Sequence, residues 1–426
     1  MPYIRKGNFS IMHKTAFLFF VILISLTGLG QLPVTYSSSQ VFQQIKKLNV
    51  LGSVLYIAAH PDDENTRLLS WLANDRLYRT GYLSVTRGDG GQNLIGNEQG
   101  VELGLIRTHE LLAARRIDGA EQFFTRGYDF GFSKSPEEAF QFWDKRKVLS
   151  DVVWVIRRFR PDVIITRFPT TGEGGHGHHT ASAILAEEAF VLAADPNSFP
   201  EQFKYGVTTW QCKRLLWNTF NFGSTNTTSE TQFKIDAGGY NPLLGKSYGE
   251  IAAESRSQHK SQGFGVPRSR GSQPEYFKTI KGDAPVNTLM DGIKTGWDRI
   301  NNVGIQSVID SLIRYYSFER PEASVPGLVK LHTLIKGIKD DYWKAQKLAD
   351  VSNLIQTAGG LYMEATTTQP NAVQGDSLKI AATINNRGGL NIAQPVATFG
   401  GVRYPIPDSL TANFNATKNI AVIIHD

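Results

Sequence analysis

Residues 54–64, Val54-Leu55-Tyr56-Ile57-Ala58-Ala59-His60-Pro61-Asp62-Asp63-Glu64, decide how this chain is read. The first six are apolar, as in a strand buried on both faces of a parallel sheet. The run ends in His-Pro-Asp-Asp. That puts an imidazole and two carboxylates on the loop at a strand's C-terminal end, where open α/β sheets bind their ligands. His60 and Asp63 can turn toward one divalent metal, since imidazole nitrogen and carboxylate oxygen are ordinary zinc ligands. Asp62, pointing elsewhere, is left to handle protons. Pro and Asp also favour plain turns. A second cluster, Gly174-Gly175-His176-Gly177-His178-His179, argues for more than a turn, because it gathers three of the chain's nine histidines.

Outward from this segment the pattern repeats. Residues 81–86 and 162–166 are further short, β-branched strand candidates, and 214–218 a later one. Helix-like segments lie at 66–74, 98–119, 135–159 and 180–194. Strand and helix in alternation predict a parallel sheet with helices on both faces. From about 220 to 285 the signals thin into long loops, which in compact domains are commonly functional. Helical periodicity returns at 286–316 and 325–356, where Leu328, Leu331, Ile335, Ile338, Tyr342, Ala345 and Leu348 recur every three or four residues. After Gly359-Gly360, strand candidates at 378–384, 396–399 and 421–424 predict a partial, Ig-like β-sandwich module over 360–426. Such a module typically needs ~100 residues, and the sequence stops inside an apolar run, so a fragment of a longer protein is expected. At 426 residues two or three domains are expected. The boundaries read as 48–285 for the sheet domain and 286–358 for a helical extension.

The N-terminus reads as a signal peptide over residues 1–31. His13 and Lys14 precede an apolar stretch at 15–29, and small or polar residues follow. The stretch is short for a spanning helix, which needs ~20 apolar residues. A secreted or periplasmic location is expected, with membrane contact only through this segment. Loss of Arg5, Lys6 and Lys14 lowers the formal charge from +6 to about +3. No Lys/Arg run stands out, so nucleic acid is not an expected partner. The single cysteine, Cys212, excludes an internal disulfide and is expected to be a packed thiol. Oligomeric state is not legible.

A catalytic zinc wants three protein ligands and an open position. His60 and Asp63 supply two, and the third must come from far along the chain. The histidine cluster follows the strand at 162–166, so its loop opens at the same sheet edge. His176 and His179 form an H-x-x-H pair. His179, at a helix entry, is assigned to the metal, and His176 to an unligated acid role. His178 is expected to face outward. A metal lowers the pKa of its water and polarises a carbonyl. Asp62 would deprotonate that water, and a protonated His176 would stabilise the oxyanion and protonate the leaving amine.

Ala59-His60-Pro61-Asp62-Asp63-Glu64 with His176-x-x-His179 resembles the PIG-L/LmbE-like family of zinc-dependent N-deacetylases, over about residues 50–265. The resemblance implies a Rossmann-like fold and removal of acetyl from N-acetylglucosamine units in sugars and glycoconjugates. It implies His60, Asp63 and His179 as metal ligands, Asp62 as general base and His176 as the second catalytic histidine. Zn2+ is the implied cofactor, and Fe2+ suits the same donors. Thr86-Arg87-Gly88-Asp89-Gly90-Gly91 is similar to the family's Gly-rich loop, Arg107-x-x-Glu110-Leu111 to its Arg-x-x-Glu-Leu helix, and Tyr128-Asp129-Phe130-Gly131 to a sugar-binding loop. Arg87, Arg107 and Asp129 are thereby candidate substrate contacts. Arg107 and Glu110 also suit a surface (i, i+3) pair, and Asp129 a turn. Two departures stand out. Gly174 replaces a carbonyl-polarising tyrosine, for which His259 is a candidate substitute. His178 replaces the aspartate before the second histidine, so His179 needs another orienting partner. Residues 255–265 are a candidate lid. The competing reading is a non-catalytic carbohydrate-binding protein retaining a structural metal site. A nucleotide-dependent enzyme is disfavoured, because no G-x-G-x-x-G follows the first strand.

Overall fold

Side chains of β1 (Ser53–Ala58) alternate between two cores, which places the strand in the middle of a covered sheet. Leu55 and Ile57 pack with the helices on one face, Val54, Tyr56 and Ala58 with those on the other. The computed structural model describes residues 35–263, 265–407 and 410–424. The expected signal segment at 1–31 lies outside the described residues.

Helix α1 (Ser38–Lys47) leads into β1. Then follow α2 (Thr66–Asn74), β2 (Arg79–Ser84), α3 (Val101–Asp118), β3 (Glu121–Phe124), α4 (Pro136–Phe142), α5 (Lys145–Phe159), β4 (Val163–Thr166), α6 (Gly177–Leu192) and β5 (Arg214–Thr219). The five strands are parallel in the order β3-β2-β1-β4-β5. Helices α4, α5 and α6 cover one face, and α2 with the later α7 (Tyr248–Arg256) covers the other. Cys212 is buried in the first of these cores. The expected α/β architecture is therefore present.

Strands at both edges of this sheet escape the sequence reading, β3 at one edge and two more at the other. β7 (Pro274–Gly282) pairs antiparallel with β5, and β6 (Phe233–Asp236) pairs antiparallel with β7, extending the sheet in the order β5-β7-β6. Both fall in the stretch expected to be loop. They are half-exposed, carry charged residues and lack a continuous apolar run, so periodicity does not reveal them. The helix expected at 135–159 breaks at Trp143, whose backbone is extended, and Asp144 caps the restart by accepting from the Lys147 amide. The segment at 286–296 is turns. There the Asp291 carboxylate gathers the amides of Val286, Asn287 and Thr288.

Helices α8 (Val303–Arg314), α9 (Val325–Lys336) and α10 (Asp341–Ala358) build a third core, which α1 joins through Val41 and Ile45. The bundle meets the N-terminal edge of the sheet. Arg299 forks onto Asp162 at 2.7 and 2.8 Å, and Asp162 accepts from the Ser53 amide at 2.9 Å. The C-terminal edge is left to the loops. Beyond the bundle, β8 (Leu361–Thr366), β9 (Ser377–Asn386) and β12 (Asn415–Ile423) form an antiparallel sheet, with β10 (Val396–Phe399) and β11 (Val402–Pro405) pairing beside it. Ile380, Ala382 and Ile420 are its small core. Among the described residues no helix is long and apolar enough to cross a membrane.

Ile164 of β4 is fully buried in the first core. Ile164→Ala is expected to lower stability by roughly 2–5 kcal/mol, as cavity-forming truncations do, measured by urea denaturation.

Candidate metal centre

The loop after β1 and the first turn of α6 converge at the sheet's C-terminal edge. The His60 amide donates to Asp63 Oδ2 at 2.7 Å, and His60 Nδ1 lies 3.1 Å from the same oxygen. From the other loop, His179 Nε2 lies 3.4 Å from Asp63 Oδ1. One donor atom each from His60, Asp63 and His179 falls within 4.8 Å of the others, and a second set, His60, His176 and His178, meets the same criterion. The sets differ in access. The Asp63 and His179 side chains are 12% and 18% exposed, whereas His178 is sealed at 0%.

The local structure explains each position. Tyr82 of β2 donates its hydroxyl to the His60 carbonyl, tying the loop to the sheet. His179 stacks on Phe168, ring centres 3.8 Å apart, and its Nδ1 meets the Gly174 carbonyl at 2.9 Å. That carbonyl and ring are the orienting partners sequence reasoning left open. His176 caps α6, its Nδ1 accepting from the His178 amide at 3.1 Å. Its other nitrogen, Nε2, therefore carries the proton of the neutral ring.

His178 does not face outward. It stacks on Trp143 at 4.7 Å, meets the edge of Phe130, and places Nδ1 3.1 Å from His60 Nε2. Trp143 leaves its helix at this point, donating Nε1 to the Tyr128 carbonyl at 2.7 Å. Asp129 is buried beside the same pair, 3.9 Å from His60 Nε2 and 3.7 Å from His178 Nδ1.

Asp62 sits at φ +88°, in the left-handed region. A non-glycine residue there costs energy and needs surrounding support. Its amide donates to Glu64 Oε2 at 2.9 Å, its carbonyl accepts from Arg256, and Arg107 reaches its Oδ1 at 3.3 Å and the Pro61 carbonyl at 2.6 Å. Arg107 is buried, so the surface-pair reading is corrected. Glu110 instead anchors Ser261, accepting from its amide and hydroxyl at 2.7 and 2.6 Å. A Cβ at Gly88 or Gly91 would overlap the Arg107 guanidinium, which is why this loop is glycine-rich. Behind Asp62, Glu64 bonds Arg115 at 3.1 Å and His259 at 2.9 Å, and Arg115 pairs with Asp118 at 2.5 Å. Buried His259 thus serves the scaffold and does not replace the tyrosine. Residues 255–263 form the wall behind the Asp62 loop. Arg87 is not brought to the cluster: it is exposed, over the Phe124 ring at 4.1 Å and bonded to Thr108 at 3.1 Å.

Electrostatics separate the two aspartates. Burial raises the Asp62 pKa despite Arg107. Burial works the same way on Asp63, but the His179 and His60 charges outweigh it and hold this carboxyl well below the usual range. Burial and the neighbouring charges of His60 and His179 push His176 down to about 4. At neutral pH it is an uncharged donor, which corrects the expectation of an imidazolium. His178 is pushed down to about 2 by burial and by the other three histidines. Glu64, Arg115 and the Trp143–His178 stack carry the site yet were missed. Only the Glu64 of the opening motif and the Arg115-x-x-Asp118 spacing offered a signal.

Residues 55–190 match the family described as "PIG-L: GlcNAc-PI de-N-acetylase". A mycothiol S-conjugate amidase of Streptomyces coelicolor is 30% identical over 178 residues, which are 39% of this chain and 60% of that protein. A 1D-myo-inositol 2-acetamido-2-deoxy-alpha-D-glucopyranoside deacetylase of Streptomyces avermitilis is 29% identical over 185 residues, again 39% and 60%. The chain thus spans about 60% of the length of these curated relatives. A solved N,N'-diacetylchitobiose deacetylase of Pyrococcus horikoshii superimposes with TM-score 0.37 at 20% identity, covering 49% of this chain and 70% of its own. That overlap is too slight to add to the fold described above.

Two outcomes are expected. Asp63→Ala and His179→Ala each weaken zinc retention by roughly 100-fold or more, a loss at least as large as that from removing an outer supporting group, read as bound zinc after dialysis. The second concerns Glu64, whose carboxyl burial would raise but His259 and Arg115 hold at about 2. A depressed pKa contributes stability above the unfolded value of about 4.3 and loses it as pH falls through the folded value. The stability gap between wild type and Glu64→Gln should therefore close by up to roughly 3 kcal/mol between about pH 5 and about pH 2, measured by denaturant titration.

Proposed function

Residues 55–190 belong to the PIG-L family, and from that premise we propose that this chain is a divalent-metal-dependent hydrolase. It removes the acetyl group from the amide nitrogen of an N-acetylglucosamine-type sugar or glycoconjugate. The observation that carries the reading is the convergence of His60, Asp63 and His179, with Asp62 held apart from them and His176 on the facing loop. Two imidazoles and one carboxylate are the donor set of a catalytic zinc site, and they come from two remote loops. Fe2+ suits the same donors.

A divalent ion held by these three residues supplies Lewis acidity toward water and an amide carbonyl. The chain's own groups do the rest. Asp62, 22% exposed at its side chain, is the carboxylate able to meet solvent, and its raised pKa suits proton transfer. It accepts the proton from the attacking water and returns it to the leaving nitrogen. Nε2–H of His176 donates to the oxyanion as a neutral ring. Arg107 acts by holding Asp62 and the Pro61 carbonyl, and Asp129 by orienting His60 and His178. The strained Asp62 backbone also speaks against a purely structural ion site, which has no use for a carboxylate held at this cost. Residues 13–31 support export to a secreted or periplasmic location, which fractionation of expressed full-length protein would check.

Acetate release from a panel of N-acetylated sugars tests the reading. Asp62→Asn is expected to lower kcat by roughly 10²–10⁴-fold while zinc content stays at one per chain. Metal-loaded wild type that releases no acetate from any member, or an Asp62→Asn protein as active as wild type, would sink it.

A further inference from the structure

Beside the Asp62 loop lies a cleft of about 660 Å³. It is walled by residues following β4 and β5, by α7, and by the starts of α2 and β7. Five charged side chains line it: Arg67, Arg167, Arg256, Glu64 and Glu275. The two carboxylates are already satisfied. Glu64 gives one oxygen to Arg115 and His259 and the other to the Asp62 amide. Glu275 gives one oxygen to Arg67 at 2.6 Å and the other to Asn65 and Asn218 at 2.8 and 3.1 Å. Two guanidinium groups remain without an ion-pair partner among the described residues. Arg167 packs over the Phe220 ring at 5.2 Å and bonds the Tyr56 hydroxyl, and Arg256 spends one N–H on the Asp62 carbonyl.

A buried charge is costly unless it is paired, and these two partly buried guanidinium groups have no ion-pair partner of their own among the described residues. The planar guanidinium fork matches phosphate and carboxylate oxygens. The volume lies within the ~300–1,000 Å³ of ordinary ligand sites. We infer that this cleft is an anion subsite, in which Arg167 and Arg256 receive an acidic substituent, a phosphate or carboxylate, borne by the N-acetylated substrate. The inference rests on the deacetylase reading and narrows it to acidic sugars or acidic glycoconjugates. Arg256 also bonds the carbonyl of Asp62, so an anion seated there lies beside the loop that carries the proposed base, and we infer that it aligns the rest of the substrate with that base. Binding energy from a remote group is thereby used to position the acetamide.

The test uses the metal-loaded full chain and three sugars: N-acetylglucosamine, its 1-phosphate and its 6-phosphate. At least one phosphate ester is expected to exceed the neutral sugar roughly tenfold or more in kcat/KM, about 1.4 kcal/mol of extra binding. Arg167→Met should collapse that ratio through KM, and Arg167→Lys should restore part of it. Inorganic phosphate should compete with the phosphorylated sugar and not with the neutral one, which separates a substrate-borne anion from a free effector. Equal kcat/KM for all three sugars, or a ratio that Arg167→Met leaves intact, overturns the proposal. If no sugar yields acetate, the deacetylase reading has failed, and calorimetric titration of inorganic phosphate decides the cleft alone. Binding by wild type that Arg167→Met loses keeps the anion site. Phosphate that binds neither protein, or both alike, overturns it.

Discussion

The site depends on holding Asp62 in a backbone conformation that residues other than glycine seldom adopt. The loop after β1 must present His60 and Asp63 inward and keep Asp62 apart, within four residues. A left-handed residue between Pro61 and Asp63 reverses the chain tightly enough to do so. Its cost, of order 1–3 kcal/mol, is met by bonds to the amide, carbonyl and carboxylate of Asp62 from Glu64, Arg256 and Arg107. Glu64 is in turn fixed by Arg115 and His259, with Asp118 and Ser255 completing the buried network. A buried charge of this kind is tolerable only because each carboxylate oxygen is matched by a donor. One strand-end motif therefore needs partners from α3, α7 and the segment that follows α7.

The same economy governs His60, Asp63 and His179, the three residues proposed to hold a cation. Asp63 is held ionised by two imidazoles, and its charge raises the His179 pKa against the effect of burial. The carboxylate is thus poised beside a proton that an incoming metal would displace. Metal affinity at such a site falls with falling pH, because ligand nitrogens must be deprotonated to bind. His176, only a few residues away in the chain, behaves oppositely. Burial, then the charges of His60 and His179, lowers its pKa while its Nδ1 is committed to the helix cap, and it stays neutral. Two histidines separated by three positions are thereby given different roles by their surroundings rather than by their spacing.

What the sequence disclosed and what it hid follow from the range of the interactions. β1, β4 and their loops are legible because buried parallel strands are apolar without interruption, and because a ligand pair at i and i+3 is local. The antiparallel β6 and β7 are hidden because their exposed faces dilute the pattern. His178 looked like a loop residue because it sits in a run of glycines and histidines at 174–179. Its shelter is Trp143, some thirty-five residues earlier, at a helix break that periodicity runs straight through. Arg87 and Arg107 are equally plausible substrate contacts by motif. Burial separates them, since Gly88 and Gly91 leave room for the guanidinium of Arg107 and the side chain of Arg87 turns over Phe124 instead.

His60 belongs to both histidine sets, and the way its two nitrogens are used favours one of them. Nδ1 faces Asp63 at 3.1 Å, and Nε2 faces His178 at 3.1 Å with Asp129 at 3.9 Å. A ligand imidazole characteristically has its second nitrogen hydrogen-bonded by an outer group that fixes tautomer and ring plane. If Nδ1 serves the ion alongside Asp63 and His179, then His178 and Asp129 are that outer group. Sealing His178 behind Trp143 and Phe130 then makes sense. If Nε2 served the ion with His176 and His178, Asp63 would be the outer group. Its ionised carboxylate and the accessible His179 would then be left beside a cation without binding it. The burial, the charge and the tautomer of the chain's own residues thus converge on His60, Asp63 and His179 as the open set, and they turn the unexpected histidine into the brace that holds the first one in place.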